Sequence, residues 1–139
     1  PKPHTHALEI GASPGGWSWV LSDLVDQIHT IDRAPLDAKL NSKSNVIHQI
    51  GDAFKLNPND FEKCTWFYSD IICTPEKMYE TVCFWLENSS VRNFICTVKF
   101  KGPCDFEILK KFQSIPNSQI IHLYQNKNEV TWIKLDGKN

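Results

Sequence analysis

The chain has 139 residues, of which 41% are hydrophobic and 22% charged, with a formal net charge of −1 and a pI near 6.6. That length and mix suit one globular domain with a core of its own. They exclude a membrane-spanning apolar run, and the charge balance is not that of a self-sufficient, strongly basic nucleic-acid binder.

No secretory pattern opens the sequence, and the five cysteines are odd in number without Cys-x-x-Cys spacing. Cys73, Cys83 and Cys96 sit in apolar runs, so buried free thiols in a reducing cytoplasm are expected, with no membrane association and a monomeric state. No metal site is expected. His4 and His6 chelate weakly at best from a chain terminus.

Apolar patterning predicts a strand over 7–11, a helix over 16–27 and a second strand over 28–32. The segment 34–45 is polar and reads as a loop or short helix. Strands follow over 46–50 and 65–72, then a helix over 75–87 with Thr74 as N-cap and Pro75 at its first position. A strand over 93–100, a helix over 105–112 and two strands over 119–124 and 130–135 complete the chain, the last two joined by a polar turn over 125–129. Strands alternating with helices imply an α/β fold with a mostly parallel central sheet flanked by helices, closed by an antiparallel C-terminal hairpin. Trp17, Trp19, Trp66, Trp85 and Trp132 fall mostly at core-facing positions.

The most informative stretch joins the first strand to the first helix and reads Glu-Ile-Gly-Ala-Ser-Pro-Gly-Gly-Trp from Glu9 to Trp17. Glycines there let a ligand approach the backbone, and a helix start offers free N–H groups. The expected ligand-binding stretch comprises Gly11, Ala12, Ser13, Pro14, Gly15, Gly16 and Trp17, with Glu9 as a carboxylate beside the ligand. The loop is not the dinucleotide fingerprint Gly-x-Gly-x-x-Gly, because Ser13 stands at the second glycine. Four acids mark the carboxyl ends of successive strands: Glu9, Asp32, Asp52 and Asp70. In open parallel sheets ligands bind there, so a nucleoside site is expected. Asp32 suits ribose hydroxyls and Asp52 an adenine amino group. S-adenosylmethionine (SAM) carries a sulfonium and no pyrophosphate, so a site rich in carboxylates fits it better than NAD.

The first loop, together with Asp32-Arg-Ala-Pro-Leu, Gly51-Asp-Ala-Phe-Lys, Trp66-Phe-Tyr-Ser-Asp70-Ile-Ile, Thr97-Val-Lys99-Phe and Leu123-Tyr124…Glu129-Val-Thr-Trp-Ile, resembles the FtsJ/RrmJ-like SAM-dependent ribose 2′-O-methyltransferases over nearly the whole chain. The resemblance implies a Rossmann-like SAM-dependent methyltransferase fold, SAM as cofactor and RNA, ribosomal RNA in particular, as substrate. It also implies catalytic roles for Asp70, Lys99 and Glu129, which match three members of the family's Lys-Asp-Lys-Glu tetrad. The family's first lysine lies on a helix ahead of the first strand. Lys2 is the only lysine upstream here, and nothing marks it as the equivalent. The expectation is therefore one methyltransferase domain over 1–139 without that helix or the RNA-binding extension, binding RNA weakly on its own. Lys77, Lys101, Lys110, Lys111 and Lys127 offer a local phosphate-binding patch.

The alternative is a SAM-binding or interaction domain of the same fold without activity, suggested by the missing lysine. The glycine pattern argues against a nucleotide-dependent oxidoreductase. Asp70-Ile-Ile-Cys lacks the Pro-Pro-aromatic run of an amino-group methyltransferase, which favours a hydroxyl target.

Overall fold

A computed structural model describes residues 5–122 and 128–136. In chain order these form β1 (His6–Ile10), α1 (Gly16–Ser22), β2 (Gln27–Asp32), α2 (Ala38–Asn41), β3 (Val46–Ile50), β4 (Cys64–Ser69), α3 (Pro75–Asn88), β5 (Asn93–Lys99), α4 (Phe106–Gln113), β6 (Ser118–Ile121) and β7 (Glu129–Lys134). Two 3₁₀ turns, Ala53–Lys55 and Pro58–Phe61, lie between β3 and β4 and had no counterpart in the sequence reading.

The strands make one seven-stranded sheet in the order β3-β2-β1-β4-β5-β7-β6. β1 to β5 run parallel, and β7 enters antiparallel between β5 and β6. This is the expected α/β architecture, antiparallel pair included. The strand order reverses between β1 and β4, which is where open sheets of this kind leave a crevice.

Strand alternation assigns the two faces. Leu8, Ile10, Ile31, Phe67, Phe94, Val98 and Trp132 form a core with Met78, Val82 and Trp85 of α3 and Ile108 and Phe112 of α4. Each such side chain contributes about 1.5–3 kcal/mol on full burial. The indole N–H of the buried Trp132 donates to the Phe112 carbonyl at 3.2 Å, so its one polar atom is satisfied. On the opposite face, Ala7, Ile28 and Tyr68 pack with Leu21, Val25, Leu36 and Leu40 around α1 and α2.

The local signals explain most helix starts. Thr74 caps α3 by accepting from the Lys77 N–H, with Pro75 in the first turn, and Asp105 caps α4 by accepting from Glu107 and Ile108. Asp37 caps the four-residue α2, so the polar 34–45 segment does contain a short helix.

Several boundaries differ from expectation. The first helix stops at Ser22 rather than running to residue 27. β2 must begin at Gln27 to pair with His6, and the Asn45 amide donates to the carbonyls of Ser22 and Val25, closing the helix end. β4 ends at Ser69, so residues 70–73 form a loop rather than strand. Trp85 and Trp132 are buried, but Trp19 is 40% exposed, with the Lys43 ammonium 5.7 Å from its ring centroid. All five cysteines are free. Cys96 is buried as expected, whereas Cys73 and Cys83 are only partly so and Cys64 is buried instead. Lys2, His4, Leu123, Tyr124 and Lys127, with the turn residues 125–127, lie outside the described residues. No helix among the described residues is long and apolar enough to cross a membrane.

Candidate functional site

A cleft of about 590 Å³ opens at the carboxyl ends of the parallel strands. Its wall is built by the chain just beyond four of them: Gly11 and Ser13 after β1, Asp32 and Arg33 at β2, Gly51 to Phe54 after β3, and Asp70 to Ile72 after β4, with Lys99 at the end of β5. A volume in this range suits a ligand of nucleoside size.

The first loop is shaped by what its glycines permit. Gly11 adopts φ +72°, and a Cβ there would stand 2.7 Å from the Cβ of Ile71. Gly15 adopts φ +127°, and a Cβ would stand 2.3 Å from a Leu40 methyl group. Gly11 is therefore held to glycine by backbone and by space, since Ile71 Cα also stands 2.9 Å away, whereas Gly15 is held by its backbone angle, the Leu40 methyl being free to move. The Gly11 N–H donates to the Ile31 carbonyl at 2.8 Å and the Asp37 N–H to the Pro14 carbonyl at 3.0 Å, which fastens the loop to the segment after β2.

The acids divide into kinds. The two oxygens of Asp32 accept from the Ser13 and Ala34 N–H groups at 3.0 and 2.9 Å. Asp52 accepts from the Phe54 N–H at 2.9 Å and from Arg33 at 3.3 Å. The Phe54 N–H above all holds the Asp52 carboxyl below the usual carboxylate range, against desolvation and with lesser help from Arg33 and Lys55. Each carboxylate retains lone pairs for a ligand. Glu9 is different. It is 2% exposed, accepts a hydrogen bond from the Ser18 hydroxyl of α1, and does not line the cleft. Burial pushes its carboxyl up to about 7, with Asp70 and Asp32 adding to the rise and Ser18 opposing it.

At the far end, Lys99 donates to the Asp70 carbonyl at 2.8 Å and pairs with its carboxylate at 3.2 Å. Lys99 lies directly opposite Glu129 in the β5–β7 register. Three residues separated by up to 59 positions thus share one strand-end cluster at the cleft.

Of the residues singled out from the sequence, Gly11, Ser13, Asp32, Asp52, Asp70 and Lys99 share the cleft wall, and Glu129 adjoins it through Lys99. Glu9, Ala12, Pro14, Gly15, Gly16 and Trp17 are not part of that wall. Gly16 and Trp17 face a separate apolar hollow with Val20, Leu21, Tyr68 and Ile95. Arg33, Gly51, Ala53, Phe54, Ile71 and Ile72 line the cleft and were not singled out. Their signal was present: each is within two residues of a strand-end acid.

The chemistry of the donor set suits SAM. Three wall carboxylates face a cleft that Lys99 and Arg33 also line, and the turn at Gly11 leaves no room for a side chain beside Ile71. Among the described residues no three His, Cys, Asp or Glu side chains gather as metal ligands do.

No protein-family model matches the chain. Among curated proteins it is similar to "Ribosomal RNA large subunit methyltransferase M" of Halorhodospira halophila, at 27% identity over 136 residues, covering 94% of this chain and 40% of that protein. The Proteus mirabilis protein of the same name is 28% identical over 136 residues, covering 90% and 37%. The chain therefore spans about two fifths of the length of these relatives. Among solved structures, a fibrillarin/Nop5p complex aligns with TM-score 0.68 at 19% identity, over 93% of this chain and 71% of that one. A Streptococcus mutans structure named as a candidate methyltransferase in complex with SAH aligns with TM-score 0.64 at 15% identity, over 96% and 90%. The structural likenesses establish the fold, and the sequence likeness runs along nearly the whole chain. The chain thus has the Rossmann-like fold of these solved structures and is similar in sequence, over nearly its whole length, to the ribosomal RNA large subunit methyltransferase M proteins.

Proposed function

We propose that this chain is the methyltransferase domain of a SAM-dependent enzyme that methylates a ribose 2′-hydroxyl of ribosomal RNA in the cytoplasm. The observation that carries the reading is the convergence of Asp70, Lys99 and Glu129 at one end of a cleft whose other end holds Asp32 and Asp52. When bound, SAM supplies a methyl group already activated on a sulfonium sulfur. Asp32 and Asp52 hold the ribose and adenine of that cofactor, their carboxylates fixed in direction by backbone N–H groups. Lys99 would serve as the general base for the 2′-hydroxyl as that oxygen is methylated. Asp70 orients the lysine through its carbonyl and carboxylate, and Glu129, across the strand pair, positions the ribose or the lysine. Much of the acceleration comes from holding the hydroxyl in line with the methyl.

A net charge of −1 gives RNA little long-range attraction, so binding by this stretch alone is expected to be weak, salt-sensitive and monomeric. The test is transfer of labelled methyl from SAM to ribosomal RNA, followed by nuclease digestion and nucleoside analysis. Label in a 2′-O-methylnucleoside supports the reading. Label on a base, or preferential binding of NAD over SAM and S-adenosylhomocysteine by calorimetry, rejects it.

A further inference from the structure

A second groove of about 240 Å³ shares Ala53 and Phe54 with the cleft and runs along α3. Lys77 stands with its ammonium 4.9 Å from the Phe54 ring centroid, on the groove side of that residue. Phe84, two turns further along α3, is 44% exposed, its ring edge-on to the buried Trp85 at 6.2 Å. Glu80 and Thr81 lie between them, and the Thr81 hydroxyl is already committed to the Lys77 carbonyl at 2.7 Å. Nothing in the cofactor reading uses these groups. Burial raises the Cys73 thiol while Lys99 and Lys77 both oppose the rise, so Lys77 and the transfer end of the cleft share a neighbourhood.

We propose that this groove is the seat of a nucleotide of the substrate RNA flanking the methylated one, with Phe84 as the stacking face for its base and Lys77 as the contact to its phosphate. The assignment rests on the methyltransferase reading above. The mixture fits a single-stranded ribonucleotide: an exposed ring for any base, one exposed cation for a phosphate, and the Glu80 carboxylate as acceptor for an exocyclic amino group. An apolar peptide segment would leave Lys77 and Glu80 facing it without partners. The groove is continuous with the cleft through the shared Ala53 and Phe54 wall.

The experiment is fluorescence anisotropy with a labelled, short single-stranded oligoribonucleotide of mixed sequence, across a salt series, alongside SAM calorimetry on the same samples. Lys77→Ala is expected to weaken RNA binding about threefold to tenfold and to lower the salt slope by about one ion. Phe84→Ala is expected to weaken it about fivefold or more with the slope unchanged. Phe84→Leu keeps an apolar contact on Trp85 and removes the stacking face, so it should behave like Phe84→Ala even if the alanine variant folds poorly. Lys63→Ala removes the same charge just before β4, at the opposite end of the strands, and should leave RNA affinity within twofold. SAM affinity should stay within twofold in all four. Wild-type RNA affinity in Lys77→Ala and Phe84→Leu, with SAM still bound, overturns the groove alone. So does an equal loss in Lys63→Ala, which would make the effect one of bulk charge. If the unaltered protein binds no SAM, the methyltransferase reading falls and the groove assignment falls with it.

Discussion

The two halves of the cleft are built by different means. At the ends of β2 and β3, Asp32 and Asp52 are held by backbone N–H groups, and the loop after β1 turns on a glycine, Gly11, packed against the backbone of Ile71. At the ends of β4, β5 and β7, the geometry is made by side chains: a lysine in two contacts with one residue and in register with another. Backbone capping fixes a carboxylate with little side-chain entropy to lose, so the first half is preformed as a rigid receptacle. The second half depends on partly exposed ionic groups, with the Lys99 and Asp70 side chains 24% and 43% exposed, and can rearrange around a substrate. Binding and reaction should therefore be separable by mutation.

The largest effect should break that comparison cleanly if it is wrong. Lys99→Ala is expected to lower the methyl-transfer kcat by about two to four orders of magnitude, the range of a lost general base. SAM affinity should move by less than about twofold, the pattern of an interaction made only in the transition state. Single-turnover kinetics with calorimetry checks both, and full activity in the variant would remove Lys99 from the chemistry.

Next in size is the receptacle itself. Gly11→Ala forces a methyl group within 2.7 Å of Ile71 at a positive φ and should cost about 1–3 kcal/mol of stability in urea unfolding. Gly16→Ala meets no atom within 4 Å and should cost no more than about 0.5 kcal/mol, or stabilise α1 slightly. Equal losses at the two would deny that the turn is sterically specified.

Glu9 sharpens the comparison through pH. Its carboxyl titrates near 7 in the fold against 4.5 unfolded, so between those values the folded state binds the extra proton. Stability then falls as pH rises through that window, and the penalty is fully present above about pH 7 and absent below about pH 4.5. Glu9→Gln, which keeps an acceptor for the Ser18 hydroxyl, should be more stable than the parent at pH 8 by on the order of 1–3 kcal/mol. The two should converge near pH 4.5, as thermal melts at both values would show.

The smallest effect concerns the exposed Arg33–Asp52 pair. With Arg33 79% exposed, Arg33→Ala should change stability by less than about 1 kcal/mol. Asp52→Ala should weaken SAM binding more than Arg33→Ala does, because Asp52 keeps its direction from the Phe54 N–H when the arginine is gone. A larger loss from Arg33→Ala in calorimetry would mean that the arginine, not the backbone, aims the carboxylate.

The same division explains what the sequence disclosed. Glycine spacing, Thr74 and Pro75, and acids ending apolar runs are local signals, and they located the sheet, α3 and the cleft wall. The end of α1 was misplaced because it is set by Asn45, more than twenty residues away. That Glu9 is sealed behind the loop rather than beside the ligand follows from its bond to Ser18, a contact that no spacing rule specifies. The opposition of Lys99 and Glu129 depends on a strand register, and the two 3₁₀ turns carry patterns too short to separate from loop.

The insertion of β7 between β5 and β6 has a kinetic meaning. β6 is made before β7, yet among the described residues β7 is its only partner in the sheet. β6 and β7 can close on each other as a local antiparallel pair, but β5 gains its outer partner only when β7 docks on it. Until then β5 presents an open edge of apolar, β-prone chain, the form of strand most apt to pair with a neighbouring molecule. The step that sets Lys99 against Glu129 is the same step that removes this hazard, so a molecule able to assemble its transfer cluster is one that has already escaped aggregation at β5.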